Sequence, residues 1–368
     1  MSQRVFVIGA GASKGCDDRM PVMQGFFKQE VLQGRRPYGA VDYKALLLFL
    51  QKEFYCTSGP HLDELFSELN VEEVFLHLES VLEGTATDSP LHGEVIEARN
   101  QLIDYIARTL RYQPFPSSYG EASGPVVGES PETDLSLYEG LAEFLGPDDS
   151  VISFNWDTLL DQVFEKTPEL TPFLEKQAEL LHPSSMVADP VARLGPGGYL
   201  KLHGSLNWFV CQATDCSDRG IIRRHLLLAE PEDSMLTIAG RPGCIRCGAQ
   251  LTREIIPPVA GKRSRMSPGI LKQWRIAPDM LRHSKEWIFI GYSLPDLDVE
   301  AKSLFRSGCR GPYETLRSQL SIMDCVVHIA DPQASTVEER IRHLHTGQGL
   351  LVRKYKDFAD FIQRFERN

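Results

Sequence analysis

Arg4-Val5-Phe6-Val7-Ile8-Gly9-Ala10-Gly11-Ala12-Ser13 is the stretch that decides the fold class. An apolar, β-branched run passes directly into glycine, which is how a strand buried on both faces of a parallel sheet meets a phosphate-type loop. Small residues let the backbone approach a pyrophosphate, and exposed amides with the dipole of a following helix favour that anion. The third glycine of the dehydrogenase fingerprint is missing: Lys14 stands there, with Gly15 next. No acidic residue follows a second strand at the usual interval either. The loop therefore predicts a nucleotide site and argues against hydride transfer.

The same pattern recurs along the chain. Residues 150–154 (SVISF), 199–202, 287–290 (WIFI) and 325–329 (CVVHI) read as short apolar strands ending in polar or glycine turns. Helices are expected at 23–33, 43–54, 62–83, 95–110, 135–145 and 356–365, the last capping the sheet. Within 62–83, Leu65, Leu69, Phe75, Leu76, Leu78 and Leu82 recur at helical intervals, and Asn70 marks a break into two pieces. Residues 113–133 are rich in Pro, Gly and Ser and read as a mobile loop or an insertion boundary. Alternating strands and helices predict an α/β fold: a Rossmann-like parallel sheet with helices on both faces, its ligands gathered beyond the carboxyl ends of the strands.

Composition excludes several classes. At 368 residues, 42% hydrophobic and 24% charged, the chain buries a full core without staples. A net charge of -11 argues against a protein built to coat nucleic acid. Two local basic stretches, 219–225 and 261–265, are candidates for touching a polyanion; a solvated loop is the alternative for each. No apolar run reaches the roughly 18 residues of a membrane span. The apolar start is too short and Gly-rich for a signal peptide, so a cytoplasmic location and a reducing environment are expected.

Chemistry concentrates at the strand ends. In Ser153-Phe154-Asn155-Trp156-Asp157, Asn155 both donates and accepts, so it can orient a ribose hydroxyl or a water. Asp157 is either part of that site or the cap of the next helix. His203, in Leu202-His203-Gly204-Ser205, follows a strand and precedes glycine; facing a cleft, it can accept a proton near neutral pH. Alone, it reads as a satisfied structural histidine. Cys211, Cys216, Cys244 and Cys247 form two close pairs separated by a long arm, the pattern of a closed four-thiolate zinc site, with free or redox thiols as the alternative. Cys16, Cys56, Cys309 and Cys325 read as small core residues.

The order of these motifs (GAGAS, SFNWD, LHGS, a four-cysteine insert, IGYSL and a last strand before Asp331-Pro332) resembles the sirtuin family. It looks closest to the bacterial sirtuin-like branch that hydrolyses NAD in phage defence. The resemblance implies an NAD-binding domain of residues 1–60 and 134–368, a helical insertion at 61–133, and a zinc-ribbon-like insert at 209–254. It implies that Gly9, Ala10, Gly11, Ala12 and Ser13 hold the pyrophosphate side and the nicotinamide ribose. Asn155 and Asp157 then lie beside the nicotinamide, and His203 is the general base. Gly291 and Ser293 contact the adenosine half, with Asp331 near the adenine ribose.

Two departures bear on activity. Protein deacylases of the family carry a Gly-Ile-Pro-Asp-Phe-Arg type segment after the glycine loop; here residues 15–21 read Gly-Cys-Asp-Asp-Arg-Met-Pro. Their Phe-Gly-Glu element, which pairs with substrate peptide, is replaced by Ile255-Ile256-Pro257-Pro258-Val259-Ala260-Gly261, where two prolines remove amide donors. The expectation is an NAD glycohydrolase releasing nicotinamide and ADP-ribose, or its cyclic form. A deacylase or ADP-ribosyltransferase and a non-catalytic NAD or ADP-ribose sensor are the alternatives. Because unchecked NAD hydrolysis harms a host, a homo-oligomer or an activating partner protein encoded nearby is expected to regulate it.

Overall fold

The computed structural model describes residues 4–18, 20–22, 26–27, 43–54, 68–112, 134–181, 197–224, 243–309, 326–344 and 350–365. The expected helix at 23–33 and the loop at 113–133 fall wholly or mostly outside these residues, as do Cys56 and Cys325. The chain forms two compact units, Met1–Cys16 with Asp134–Asn368, and Asp17–Thr133.

The first unit is built on a six-stranded, all-parallel sheet of β1 (Arg4–Ile8), β2 (Ser150–Ser153), β3 (Gly198–Lys201), β7 (Glu286–Ile290), β8 (Val326–Ala330) and β9 (Leu351–Tyr355). Their spatial order is β3-β2-β1-β7-β8-β9. Taken by order in this sheet, that is 3-2-1-4-5-6, the doubly wound arrangement, whose direction reverses between β1 and β7. Register is continuous across the reversal: Val5 opposes Ser150 on one side and Trp287 on the other.

Alternation along each strand sends residues to opposite faces. Val5, Val7, Ile152, Leu200, Trp287, Phe289, Val327 and Ile329 join one core with Ile270, Trp274, Ala277 and Leu281 of α8 (Pro268–His283), Leu304 and Phe305 of α9 (Val299–Gly308), and Val337 and Ile341 of α10 (Ala334–Leu344). The opposite face carries Tyr199, its ring tilted against Phe164 of α6 (Leu159–Lys166) at 4.9 Å, and His328, near Tyr355 and Phe365 beside α11 (Phe358–Arg364). Helices therefore cover both faces, as expected. β1 also continues into α1 (Ala10–Cys16), and α5 (Ser136–Phe144) and α7 (Thr171–Leu181) complete the layers.

β9 escapes sequence reading because it is an edge strand with mostly solvent-facing residues, so it lacks the apolar run that betrays its neighbours. A second, three-stranded antiparallel sheet, β5-β4-β6, joins β4 (Gly204–Val210), β5 (Ile222–Arg224) and β6 (Thr252–Ile255).

The second unit is helical among its described residues. α4 (Pro90–Tyr112) packs on α2 (Lys44–Glu53) and α3 (Val71–Gly84). It starts five residues earlier than periodicity suggests, with Pro90 preset for the first helical turn. Of the expected helix at 62–83, residues 62–67 lie outside the described residues; Asn70 precedes α3, and its side chain caps that helix by accepting the Glu72 amide at 2.8 Å. Tyr105 anchors the interior: it stacks on Phe27, meets Tyr43 edge-on and donates to the Phe26 carbonyl at 3.0 Å.

Candidate active site

The loops after β1 and β7 meet at the reversal point of the sheet. Gly9 donates its amide to the Ile290 carbonyl at 3.0 Å, and Gly11 donates to the Gly291 carbonyl at 2.9 Å. Gly291 adopts φ 59°, and a Cβ there would lie 2.0 Å from the Ala12 nitrogen; a Cβ on Gly9 would lie 2.5 Å from the Gly291 carbonyl oxygen. The glycines of the two motifs are thus fixed by close contact with each other. Sequence reading assigned their smallness to an approaching pyrophosphate. The amides of Gly9, Gly11 and Ala12 are all donated within the protein, the last to the Gly9 carbonyl. Ala10 opens α1, placing that helix N-terminus at the carboxyl end of β1.

Next to this junction lies a buried polar cluster. Asn155 Nδ2 donates to the Gly9 carbonyl and to Ser13 Oγ, both at 3.0 Å. Ser13 Oγ donates to Asp157 Oδ2 at 2.7 Å and lies 2.9 Å from the Tyr138 hydroxyl. Asn155 is 6% exposed, and its Oδ1 has no hydrogen-bond partner among the described residues. An orphaned buried acceptor is costly, by about 1–3 kcal/mol, unless a ligand or water satisfies it. Burial raises the Asp157 carboxyl above its usual range, against the Lys201 charge and the bonds from Ser13 and the Leu159 amide. Burial, then the Asp157 charge, pushes the Tyr138 hydroxyl well up. Asp157 Oδ2 takes the Ser13 hydroxyl, while Oδ1 accepts the Leu159 amide, at 3.1 Å, as α6 begins.

Beneath it, Lys201 is fully buried with all three ammonium hydrogens placed: on the Asp157 carbonyl at 2.6 Å, Asp161 Oδ2 at 2.8 Å and Ser205 Oγ at 2.7 Å. Asp161 also accepts the Tyr199 hydroxyl at 3.0 Å. Lys201 thus ties the end of β3 to the loop after β2 and to α6, and through Ser205 it holds the turn that carries His203.

His203 is 3% exposed, so in this conformation it is enclosed and does not open onto a cleft. Its Nε2 lies 2.9 Å from Lys262 Nζ and 2.9 Å from Asp298 Oδ2, and Lys262 reaches Asp298 Oδ1 at 2.5 Å. Phe154 packs edge-on to the imidazole at 5.0 Å, Trp274 lies roughly parallel at 6.3 Å, and Lys262 sits 4.7 Å over the Trp274 ring. Burial, then the Lys262 charge, lowers the His203 pKa to about 4, against Asp298 and a bond to the Phe154 carbonyl. Burial raises the Asp298 carboxyl, but His203 and Lys262 outweigh it and hold the group well below the carboxylate range.

Lys262 and Asp298 were not singled out by sequence as site residues. Lys262 belongs to the basic stretch 261–265 and is neither solvated nor facing a polyanion, since it is fully buried. Arg263 beside it is exposed. Asp298 did carry a local signal, because Asp before an amphipathic run is a helix cap, and its Oδ1 accepts the Ala301 amide at 3.0 Å. In the other basic stretch, Arg223 pairs with Asp218.

Further from this centre, the Ser293 carbonyl accepts Arg340 Nη1 at 2.7 Å, and Leu294 beside it adopts φ 54°. Asp331 ends β8, accepts the Gln333 amide at 2.7 Å, and has its carboxyl raised by burial.

The four cysteines converge at the end of the small sheet. Cys211 and Cys247 sulfurs are 3.7 Å apart, as are those of Cys216 and Cys244, and all four lie within 4.8 Å of one another. Four thiolates about 2.3 Å from one zinc ion stand about 3.8 Å apart, so the donor set and its spacing fit that metal. Amides of Cys247 and Arg246 turn toward the Cys244 sulfur and lower its thiol to about 7. No helix among the described residues is long and apolar enough to cross a membrane.

No protein-family model and no curated protein matches the chain. Among solved structures, a Sir2 homologue in complex with NAD is 14% identical and overlaps 93% of this chain and 90% of its own, with a TM-score of 0.39. A structure concerned with sirtuin substrate affinity is 14% identical and overlaps 99% and 92%, with a TM-score of 0.37. A Sir2 homologue variant with 2′-O-acetyl-ADP-ribose is 15% identical and overlaps 93% and 91%, with a TM-score of 0.35. Identities of 14–15% and TM-scores of 0.35–0.39 carry no argument about fold or chemistry.

Proposed function

We propose that this chain is an NAD glycohydrolase of sirtuin-like type, cleaving the bond between nicotinamide and ribose. The observation that carries the reading is the buried, unpartnered Oδ1 of Asn155, set among Gly9, Ser13 and Asp157 where the sheet order reverses. Doubly wound sheets bind nucleotides at that place. The motif order and its sirtuin resemblance favour NAD among nucleotides.

The residues divide the work as follows. Asn155 Oδ1 accepts from a ribose hydroxyl or from the attacking water, while its Nδ2 is held by Gly9 and Ser13. With the Gly9, Gly11 and Ala12 amides and the Ser13 hydroxyl committed within the protein, the N-terminal dipole of α1 is what favours the diphosphate. Gly291, Ser293 and Asp331 line the adenosine side. As the C–N bond breaks, its electron pair goes to the nicotinamide nitrogen and positive charge grows on the ribose. Water adds to the anomeric carbon and its proton passes to His203 Nε2, giving nicotinamide and ADP-ribose; attack by an internal nucleophile gives a cyclic product. Binding energy from the diphosphate is directed into orientation. Cys211, Cys216, Cys244 and Cys247 would hold a zinc ion in a closed, structural site that fastens the end of the small sheet.

Hydrolysis is favoured over protein deacylation by the fate of the amides after β6. Ile256 donates to the His203 carbonyl, Pro257 and Pro258 have no N–H, and Val259 donates to the Pro257 carbonyl. Residues 256–259 thus offer no donor for strand pairing with a peptide.

Purified protein incubated with NAD is expected to release nicotinamide without an acetyl-lysine peptide, and His203→Ala to abolish that release. Release only with peptide would establish deacylation; binding without turnover would establish a sensor. We further propose that the enzyme is cytoplasmic, works as a homo-oligomer in antiviral defence, and is switched by a partner protein. Full constitutive turnover by a dilute monomer would overturn this last reading.

A further inference from the structure

We propose that Lys262 and Asp298 are positioning residues for His203, together setting which imidazole nitrogen takes the proton and keeping that nitrogen unprotonated until substrate arrives. The inference rests on the glycohydrolase reading, and its test separates the two. Three buried ionisable groups from three separate segments meet here: His203 from the β3–β4 turn, Lys262 from the short 3-10 turn Lys262–Arg265, and Asp298 from the cap of α9. The charged groups facing His203 are Lys262 and Asp298; Phe154 and Trp274 supply apolar walls.

The geometry fixes the tautomer. Lys262 Nζ lies at hydrogen-bond distance from Nε2, while Asp298 Oδ2 makes no hydrogen bond among the described residues, so Nε2 carries the lone pair and Nδ1 the proton of the neutral ring. Lys262, an obligate donor, points at that lone pair from 2.9 Å. An ammonium against Nε2 is compatible only with the neutral ring. Asp298 Oδ2, 2.9 Å from the same nitrogen, is an acceptor suited to a proton on Nε2, which with Nδ1 already protonated makes the ring an imidazolium.

The pair therefore brackets the proton transfer. Before it, Lys262 holds Nε2 unprotonated. During it, the water or ribose hydroxyl takes the place of Lys262 at Nε2 and gives up its proton there. Lys262 keeps Asp298 Oδ1 and the Trp274 face as partners, and Asp298 Oδ2 balances the new imidazolium charge. No other reactant is needed.

The test is an NMR titration of the full chain with labelled histidine, His203 being assigned through His203→Gln, alongside pH profiles of nicotinamide release. Lys262→Met is expected to raise the titration midpoint of His203 by about one unit or more. Asp298→Asn, which retains an amide-accepting oxygen to cap α9, is expected to lower it. Lys262→Arg, which keeps the charge, is expected to stay near wild type. Opposite movements from two neighbouring substitutions are not produced by general loosening of the fold. The acid limb of kcat/KM is expected to follow the same midpoints. A His203 midpoint indifferent to Lys262→Met overturns the proposal, whatever the enzyme does. Shifted midpoints with an unmoved acid limb overturn the positioning role alone. Wild-type protein that titrates as expected but never releases nicotinamide overturns the glycohydrolase reading and, with it, the catalytic use of the triad.

Discussion

Gly291 and Gly261 share a left-handed backbone, at φ 59° and 76°, yet differ in surroundings: a Cβ meets the Ala12 nitrogen at 2.0 Å in the first and open space in the second. Gly261→Ala should cost about 1 kcal/mol, the conformational penalty alone. Gly291→Ala should cost roughly 3 kcal/mol or more, because two backbones must separate. Urea unfolding of the two variants checks this, and equal losses would refute the backbone contact. His203 makes a second prediction. Its folded-state pKa of about 4 lies below the ordinary 6.5, so between these values the unfolded chain binds more protons. Stability contributed by the neutral ring is therefore present above pH 6.5 and lost as pH falls toward 4. His203→Gln, which cannot titrate, should flatten the stability profile across that window; an unchanged slope in denaturant titrations would show that His203 is not buried neutral.

At the scale of elements, Trp208 and Val210 of β4 and Ile222 of β5 anchor the small β5-β4-β6 sheet in the large core, while among the described residues its cysteine-bearing end is packed by Phe209, Cys211, Cys216, Cys244 and Leu251. So few apolar side chains do not hold that end against chain entropy, and the proposed metal would supply much of its stabilisation. Removing zinc with a chelator should abolish hydrogen-exchange protection in β4 and β6 while leaving β1 and β7 protected. Loss of protection across both sheets would mean that the metal site and the parallel sheet form one cooperative unit. Because the Ile256 amide is held by the His203 carbonyl at 2.9 Å, the chelated protein should also lose turnover. Sequence located the cysteines by spacing but missed β5 between them and β6 after them, since three or four residues carry too little periodicity to register.

At the scale of the whole molecule, the nucleotide reading places the ligand on the unit that holds the parallel sheet. A ligand at about 100 times its Kd stabilises the folded state by about 2.7 kcal/mol. Calorimetric unfolding with NAD at that excess should therefore raise the midpoint of that unit's transition; no shift would remove NAD as the ligand. By itself the sequence determined the α/β class, five of the six parallel strands, and the placing of the GAGAS, SFNWD, LHGS and IGYSL motifs at strand ends. It could do so because strands buried on both faces must be continuously apolar and must end where the backbone turns to face a ligand. What only the tertiary structure decided is who faces whom. Gly9 and Gly11 answer to Gly291 across the sheet reversal, Lys201 lies buried among Asp157, Asp161 and Ser205, and a lysine from a basic loop turns inward to His203 and Asp298. Charged residues give no periodic signal of burial: whether a lysine is solvated or enclosed depends on partners brought from distant segments, such as Asp298, 36 residues from Lys262.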